Sequence, residues 1–254
     1  MSDVAQVAPP VVARDLTLGD LAVALAAGWR DFRTCPRFGL ALAGLYVAAG
    51  WLLYFVLYRH GQVALLVPAA GGFPIIAPFV AVGLYGVSRA REAGEAPSWA
   101  LVFGVVRGRG DDQVLMMGGF LFVGVTFWII LAHGIFAVFM AESGVGTESL
   151  ALFATPAGMA MLAVGGAVGA VVAWLFYAVT VFSLPLLVDQ EVDFLTAMIV
   201  SMAAIRANPG VMLAWGLIIA VGLGAALVPL FLGLFVALPV LAHATWHLYR
   251  RVVR

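Results

Sequence analysis

The stretch VLMMGGFLFVGVTFWIILAHGIFAVFMA, residues 114–141, decides the fold, because it contains no Asp, Glu, Lys or Arg. A helix needs about 20 apolar residues to cross the hydrocarbon core of a bilayer, and this run is longer. The whole chain has the same character, since 64% of its 254 residues are hydrophobic and 10% are charged. A soluble domain carries about 25% charged residues. The sequence therefore predicts an all-α, polytopic membrane protein whose solvent is the lipid bilayer.

Six apolar stretches are long enough to span a membrane. We predict about six transmembrane helices, at residues 38–58, 63–88, 114–141, 156–187, 211–228 and 229–249. Little chain separates the last two spans, so Pro229 is predicted to open the sixth helix. The motif Gly71-Gly72-Phe73-Pro74, followed by Pro78, is predicted to break or kink the second span.

The arginines predict the orientation of these spans. All 13 basic residues are Arg, and 12 of them fall in the N-terminal segment, the second and fourth loops and the C-terminus. Only Arg59 lies on the opposite side. Because cytoplasmic loops carry an excess of basic residues, this distribution predicts an even number of spans with both termini in the cytoplasm. The charges form no basic stripe, so no nucleic-acid partner is expected.

The segment before the first span has the pattern of an amphipathic surface helix. Thr17 with Asp20 resembles a capping box that opens a helix over Leu18–Thr34. Asp20 and Asp31 fall on one face, and Trp29 is expected at headgroup depth. The opposite, apolar face is formed by Leu18, Leu21, Leu25, Trp29 and Phe32.

Two later segments repeat this arrangement. One covers residues 99–106, and the other covers Phe194–Ala207, capped by Asp193 and stopped at Asn208-Pro209. We interpret the chain as three hairpins, each preceded by a cytoplasmic-surface amphipathic helix. The expected organisation is a disordered tail over 1–13 and a single membrane domain over 14–254, with repeats at 14–91, 97–190 and 191–254. Alternatively, any six-span protein with basic cytoplasmic loops has this organisation.

Polar residues of the fourth loop and of the end of the sixth span should share the cytoplasmic side. We predict that they converge in one network, because closely spaced acids need cations or hydrogen-bond donors to stay ionised when partly buried. The network would either fix the third hairpin or bind a cation or an anionic lipid headgroup. Its predicted members are Asp189, Glu191, Asp193, Arg206, His243, His247 and Arg250. Trp29, Trp246 and Tyr249 are predicted to be interfacial anchors.

The histidines leave a metal or haem site open as an alternative. His243 and His247 share one helix face at a spacing that suits a metal, but two histidines do not make a site. His133 lies inside the third span, where it either bonds to a neighbouring helix or acts as a ligand or proton relay. His133 and His243 differ in depth by about 8 Å, which is poor geometry for a haem. We therefore predict neither a metal nor another cofactor.

Nothing in the sequence resembles a catalytic constellation, since there is no nucleophile with a paired base and no phosphate-binding glycine loop. The chain is therefore expected to be a non-enzymatic accessory, scaffold or assembly subunit that contacts another membrane-protein complex. The alternative is a small-molecule or ion transporter that uses the broken second span. A metal- or haem-binding membrane protein ranks behind both.

Three stretches together resemble one known family. They are GWRDFRTCP at 28–36, SLPLLVDQEVDFLTA with a following NP at 183–209, and LPVLAHATWHLYR at 238–250. The chain resembles, over nearly its whole length from Arg14, the bacterial integral membrane proteins grouped as domain of unknown function 2189. The resemblance implies a six-span protein of the bacterial inner membrane and carries no established activity.

Overall fold

The computed structural model describes residues 11–70, 78–107, 113–140 and 150–253. Residues 66–70 are helical, and short 3-10 helices cover Val63–Leu65 and Leu150–Ala154. The helices with described bounds are α1 Leu18–Thr34, α2 Pro36–Arg59, α3 Pro78–Glu92, α4 Trp99–Arg107, α5 Gln113–Met140, α6 Pro156–Thr180, α7 Ser183–Asp189, α8 Phe194–Ala207, α9 Pro209–Leu227 and α10 Leu234–Val252.

Four helices are long and apolar enough to cross a membrane. They cover Pro36–Arg59, Gln113–Phe139, Pro156–Asp189 and Pro209–Leu227. The predicted all-α membrane protein is therefore confirmed, and four of the six predicted spans correspond to such helices. The predicted break at 71–74 in the second span lies outside the described residues. The six-span hairpin arrangement stays a prediction.

Helices α1 and α8 begin where the sequence predicted. The side chain of Thr17 accepts a hydrogen bond from the backbone of Asp20, whose carboxylate accepts one from the Thr17 backbone at 2.8 Å. Asp193 caps α8 by accepting from the backbone of Thr196 at 2.8 Å. These caps satisfy backbone N–H groups that the first helical turn leaves free.

The breaks after α1 and α8 share one backbone conformation. Cys35 has φ −127° and ψ 53°, and Asn208 has φ −136° and ψ 53°. A proline follows each of them as the first residue of the next helix, where its missing N–H costs no hydrogen bond. Both α1 and α8 therefore lead into the following helix through the same local geometry.

The helix contacts follow a cyclic pattern. Helix α4 packs against α3, and α8 packs against α6 and α7, so each packs on helices that come before it in the chain. Helix α1 packs mainly against α10, the last of the described helices. The helices α3, α7 and α10 also contact one another at the centre.

Two predicted features differ from the structure. Helix α10 begins at Leu234 and not at Pro229, because 228–233 form a turn in which Leu230 and Phe231 have φ of 52° and 68°. Residues 1–10 of the predicted disordered tail lie outside the described part. Val12, also assigned to that tail, forms an antiparallel bridge with Val253, so the two ends of the domain are joined.

Candidate functional site

Close contact between α1 and α10 positions the polar residues at one end of the bundle. Gly28 makes this contact possible, because a Cβ added there would lie 2.5 Å from the backbone nitrogen of Ala244 and 2.6 Å from the carbonyl oxygen of Val240. With no side chain in the way, α1 lies directly on the α10 backbone. This approach carries Asp31, one turn after Gly28, into the space between α10 and α3.

Asp31 is the centre of a buried hydrogen-bond network, and this residue is only 4% exposed. One carboxylate oxygen accepts from Ser88 Oγ at 2.8 Å and from His247 Nε2 at 2.8 Å. The other accepts from Arg91 Nε at 2.9 Å. Three elements, α1, α3 and α10, are therefore joined at one carboxylate. We name this set the Asp31 network: Asp31, Ser88, Arg91, His243 and His247.

The donors decide the protonation of Asp31. Burial by itself raises the pKa of this carboxyl group, because a charge is poorly solvated away from water. The hydrogen bonds from His247 and Ser88 outweigh burial and lower the pKa to about 2. Asp31 is therefore ionised at neutral pH, and the charge of Arg91 compensates it.

The hydrogen-bond pattern also assigns the tautomer of His243. Ser88 Oγ lies 2.7 Å from His243 Nδ1 and donates its only proton to Asp31. His243 Nδ1 must therefore carry the proton and donate to Ser88. This leaves His243 Nε2 as an acceptor that is buried and has no hydrogen-bond partner among the described residues.

A second network lies beside the first, at the end of α7. Asp189 accepts from the hydroxyl of Tyr249 at 2.9 Å and from Arg250 Nη1 at 2.9 Å. Arg250 Nε also pairs with Glu92 at 3.2 Å, and Trp246 Nε1 donates to the same carboxylate at 3.2 Å. Trp246 and Tyr249 were predicted to be interfacial anchors, but both are fully buried. Trp29, the third predicted anchor, is 44% exposed.

The structure places the seven residues of the predicted polar network in different surroundings. Asp189 and Arg250 are in direct contact. The acids Asp189, Glu191 and Asp193 line one cavity of about 540 Å³ together with Arg89. Within the described part of the chain, the side chains of Glu191 and Arg206 make no hydrogen bond or ion pair.

The two predicted histidines, His243 and His247, bond to the Asp31 network and not to Asp189. The prediction omitted Asp31, because helical spacing assigned it to the polar face of α1. Its partners lie 57, 60 and 216 residues away in sequence, beyond the reach of any local pattern. Among the described residues no group of three or more His, Cys, Asp or Glu side chains could hold a metal ion.

An all-α chain with several apolar helices of membrane-spanning length, tied together at one end by buried ion pairs, is an integral membrane protein. Residues 66–189 match a family described as Predicted integral membrane protein (DUF2189). Over this segment the family resemblance inferred from the sequence is confirmed. Of the three stretches that suggested it, only the beginning of the second lies in the matched segment. The comparisons with curated proteins and with solved structures gave no match.

Proposed function

We propose that this protein is a six-span accessory or scaffold subunit of the bacterial inner membrane, with both termini in the cytoplasm. The observation that carries the proposal is the position of His133. This residue is exposed on α5, within a candidate span that contains no Asp, Glu, Lys or Arg. A polar side chain facing lipid is costly, so the exposed face of α5 is better explained as a contact with another membrane helix.

The hydrogen bond of His133 indicates what that partner supplies. His133 Nδ1 lies 2.9 Å from the carbonyl oxygen of Ile129, one turn earlier on the same helix. A carbonyl can only accept, so Nδ1 carries the proton and Nε2 is left as an acceptor. The partner helix would place a hydroxyl, amide or other donor against Nε2.

The outer helices support the same proposal, since they bury little of their surface within the chain. In the candidate spans of α2, α5 and α9, the buried share is 17%, 22% and 22%. The corresponding share of the Pro156–Asp189 span is 50%. These faces offer apolar area to lipid or to partner helices. By contrast, the polar groups around Asp31 and around Asp189 bond within the chain.

The cyclic packing of the surface helices supports the proposed repeats. In a closed ring of three units, each surface helix would lie on the last helix of the unit before it, and the first would lie on the last helix of the third unit. The observed contacts of α1, α4 and α8 have this order. The shared conformation at Cys35 and Asn208 fits two equivalent positions of such a repeat.

Fusions to reporter enzymes test the proposed topology. Alkaline phosphatase fused after Arg254 is expected to be inactive, and a fluorescent protein at the same position is expected to fluoresce, because both would lie in the cytoplasm. A phosphatase fusion after Glu142, in the predicted outer loop, is the matched control and should be active. An active phosphatase after Arg254 would exclude the even number of spans.

Replacement of His133 by leucine tests the accessory function. We expect this variant to fold as the wild type does, with recovery of a co-purifying membrane protein in mild detergent reduced about three- to thirtyfold. An interhelical hydrogen bond contributes about 0.6 to 2 kcal/mol, which corresponds to this range. The control is His133→Gln, which keeps an acceptor and should restore recovery.

The transporter alternative makes the opposite prediction for the same sample. If the wild-type protein purifies alone and proteoliposomes containing it take up a solute with saturable kinetics, the accessory proposal is wrong. If a partner is recovered and the His133→Leu variant retains it fully, the partner is bound elsewhere and His133 has no part in the contact.

A further inference from the structure

An apolar crevice lies between the helices in the membrane region of the bundle. It has a volume of about 380 Å³, within the usual range for ligand sites, and it is open to the outside. We name it the α6–α10 crevice, because its walls come from α6, α9 and α10, with α3 at one side. Residues that represent these walls are Ala173 and Trp174 on α6, Ala220 on α9, Ala242 on α10 and Tyr85 on α3.

Tyr85 carries a hydroxyl group that has no partner in this crevice. Its residue is only 4% exposed, and its ring stacks on Trp246 at a centroid distance of 6.4 Å. Its hydroxyl makes no hydrogen bond with the described part of the protein. A hydroxyl without a partner is unfavourable in apolar surroundings, so this one indicates that the crevice receives a hydrogen-bond acceptor.

The other hydroxyl groups of the crevice are already engaged. Thr180 donates to the carbonyl oxygen of Phe176 at 2.6 Å, and Thr245 donates to that of Leu241 at 2.8 Å. The hydroxyl of Tyr177 donates to the carbonyl oxygen of Met212 at 2.7 Å. Among the described residues, an occupant therefore meets apolar walls, one free hydroxyl group, that of Tyr85, and the indole N–H of Trp174. This surrounding suits a hydrocarbon chain that carries an acceptor oxygen.

The position of Tyr85 along α3 identifies the acceptor. Arg89 follows Tyr85 by four residues, one helical turn or about 6 Å. Under the membrane placement proposed above, the arginines of this end lie at the level of the lipid phosphates, so Tyr85 lies one turn deeper. In a phospholipid, the ester carbonyl groups lie between the phosphate and the acyl chains. We propose that the α6–α10 crevice binds one acyl chain of a phospholipid, whose ester carbonyl oxygen accepts a hydrogen bond from Tyr85.

The test compares two lipids that differ only in this carbonyl. The full-length protein, purified in detergent and stripped of lipid, is titrated with a diacyl phosphatidylglycerol or with its diether analogue, and bound lipid is counted by native mass spectrometry. The wild type is expected to prefer the diacyl lipid about fivefold, the effect of one neutral hydrogen bond. Tyr85→Phe, which keeps the stacked ring, should remove this preference. Tyr58→Phe, at an exposed tyrosine outside the crevice, is the control and should keep it.

A second pair of variants tests the crevice itself. Ala220→Phe places a ring in the crevice and should reduce binding of both lipids. Val221→Phe, on the neighbouring exposed face of α9, should leave both unchanged. If the four variants and the wild type retain equal amounts of both lipids, the lipid is only annular and the proposal is wrong. The proposal would likewise be wrong if a short-chain benzoquinone displaces the lipid from the wild type but not from Tyr85→Phe. In that case the occupant of the crevice is a quinone.

The lipid site and the proposed scaffold function can fail separately. The depth argument rests on the proposed topology, which the phosphatase fusions test on their own. The His133 variants lie on α5, outside the crevice, so loss of the partner does not alter lipid retention. Conversely, loss of the lipid preference in Tyr85→Phe is measured on the purified chain with no partner present.

Discussion

Replacement of Asp31 by alanine is expected to lower the free energy of unfolding by about 3 to 5 kcal/mol, the cost of breaking a buried ion pair by removing one partner. The wild-type carboxylate accepts from Ser88, His247 and Arg91 at 2.8 to 2.9 Å. In the variant these donors keep their partly buried positions without an acceptor, and the charge of Arg91 has no counter-ion there. Denaturant titration in detergent micelles, followed by tryptophan fluorescence, measures the loss.

Two further variants separate the network from a general effect of charge. Glu95→Ala removes an exposed carboxylate that makes no hydrogen bond or ion pair with the described residues, and it should change the unfolding midpoint little. Asp31→Ala combined with Arg91→Ala should cost less than the sum of the single variants, because the second change removes the unpaired charge. Additive losses would show that the two side chains do not act as a pair.

The pH dependence of stability should also change at Asp31. The folded pKa of about 2 lies below the ordinary value of 3.8 for an aspartate, so the folded protein holds the charged form more tightly than the unfolded chain does. The resulting stability is fully present above about pH 4 and is lost as the pH falls towards 2. Asp31→Asn cannot ionise, so its unfolding free energy should decline less than that of the wild type over this window. Parallel curves for the two proteins would contradict the assigned pKa.

Local sequence signals predicted the surface helices well. The ends of α1 and α8 follow from a capping residue at one end and a residue before proline at the other, and both signals act within four residues. The long apolar runs likewise predicted the helices that can cross a membrane. In each case the information that determines the element is contained in the element itself.

The buried face of α1 could not be predicted in this way. Helical periodicity assigns charged residues to the polar side, but the face that packs on α10 contains Gly28 and Asp31. Leu18, predicted to be on the apolar face, is 65% exposed. For a helix at a membrane surface, exposed leucine can contact lipid, whereas a buried aspartate depends on donors supplied by distant helices. Trp246 and Tyr249 show the same effect. The indole N–H of Trp246 donates to a carboxylate on α3, and the hydroxyl of Tyr249 donates to a carboxylate on α7, so both side chains can be buried.

Replacement of Gly28 by alanine should be as damaging as loss of Asp31. The added methyl group would lie 2.5 and 2.6 Å from backbone atoms of Ala244 and Val240, which cannot move aside as a side chain can. We therefore expect α1 to shift away from α10 and to carry Asp31 away from its donors. Overpacking costs about 1 to 3 kcal/mol, and loss of the network adds to it, so the total should reach about 3 kcal/mol or more.

The matched control for Gly28→Ala is Gly104→Ala in the surface helix α4, where an added Cβ meets nothing within 4 Å. That variant should be unchanged or slightly more stable, since alanine favours a helix by up to about 1 kcal/mol over glycine. Cys35, the only cysteine, follows α1 and accepts a weak hydrogen bond from Arg91, with Nη1 and Sγ 3.7 Å apart. Displacement of α1 by Gly28→Ala should therefore speed maleimide labelling of Cys35, whereas Gly104→Ala should not. Wild-type stability and labelling rate in Gly28→Ala would show that α1 does not lie directly on the α10 backbone.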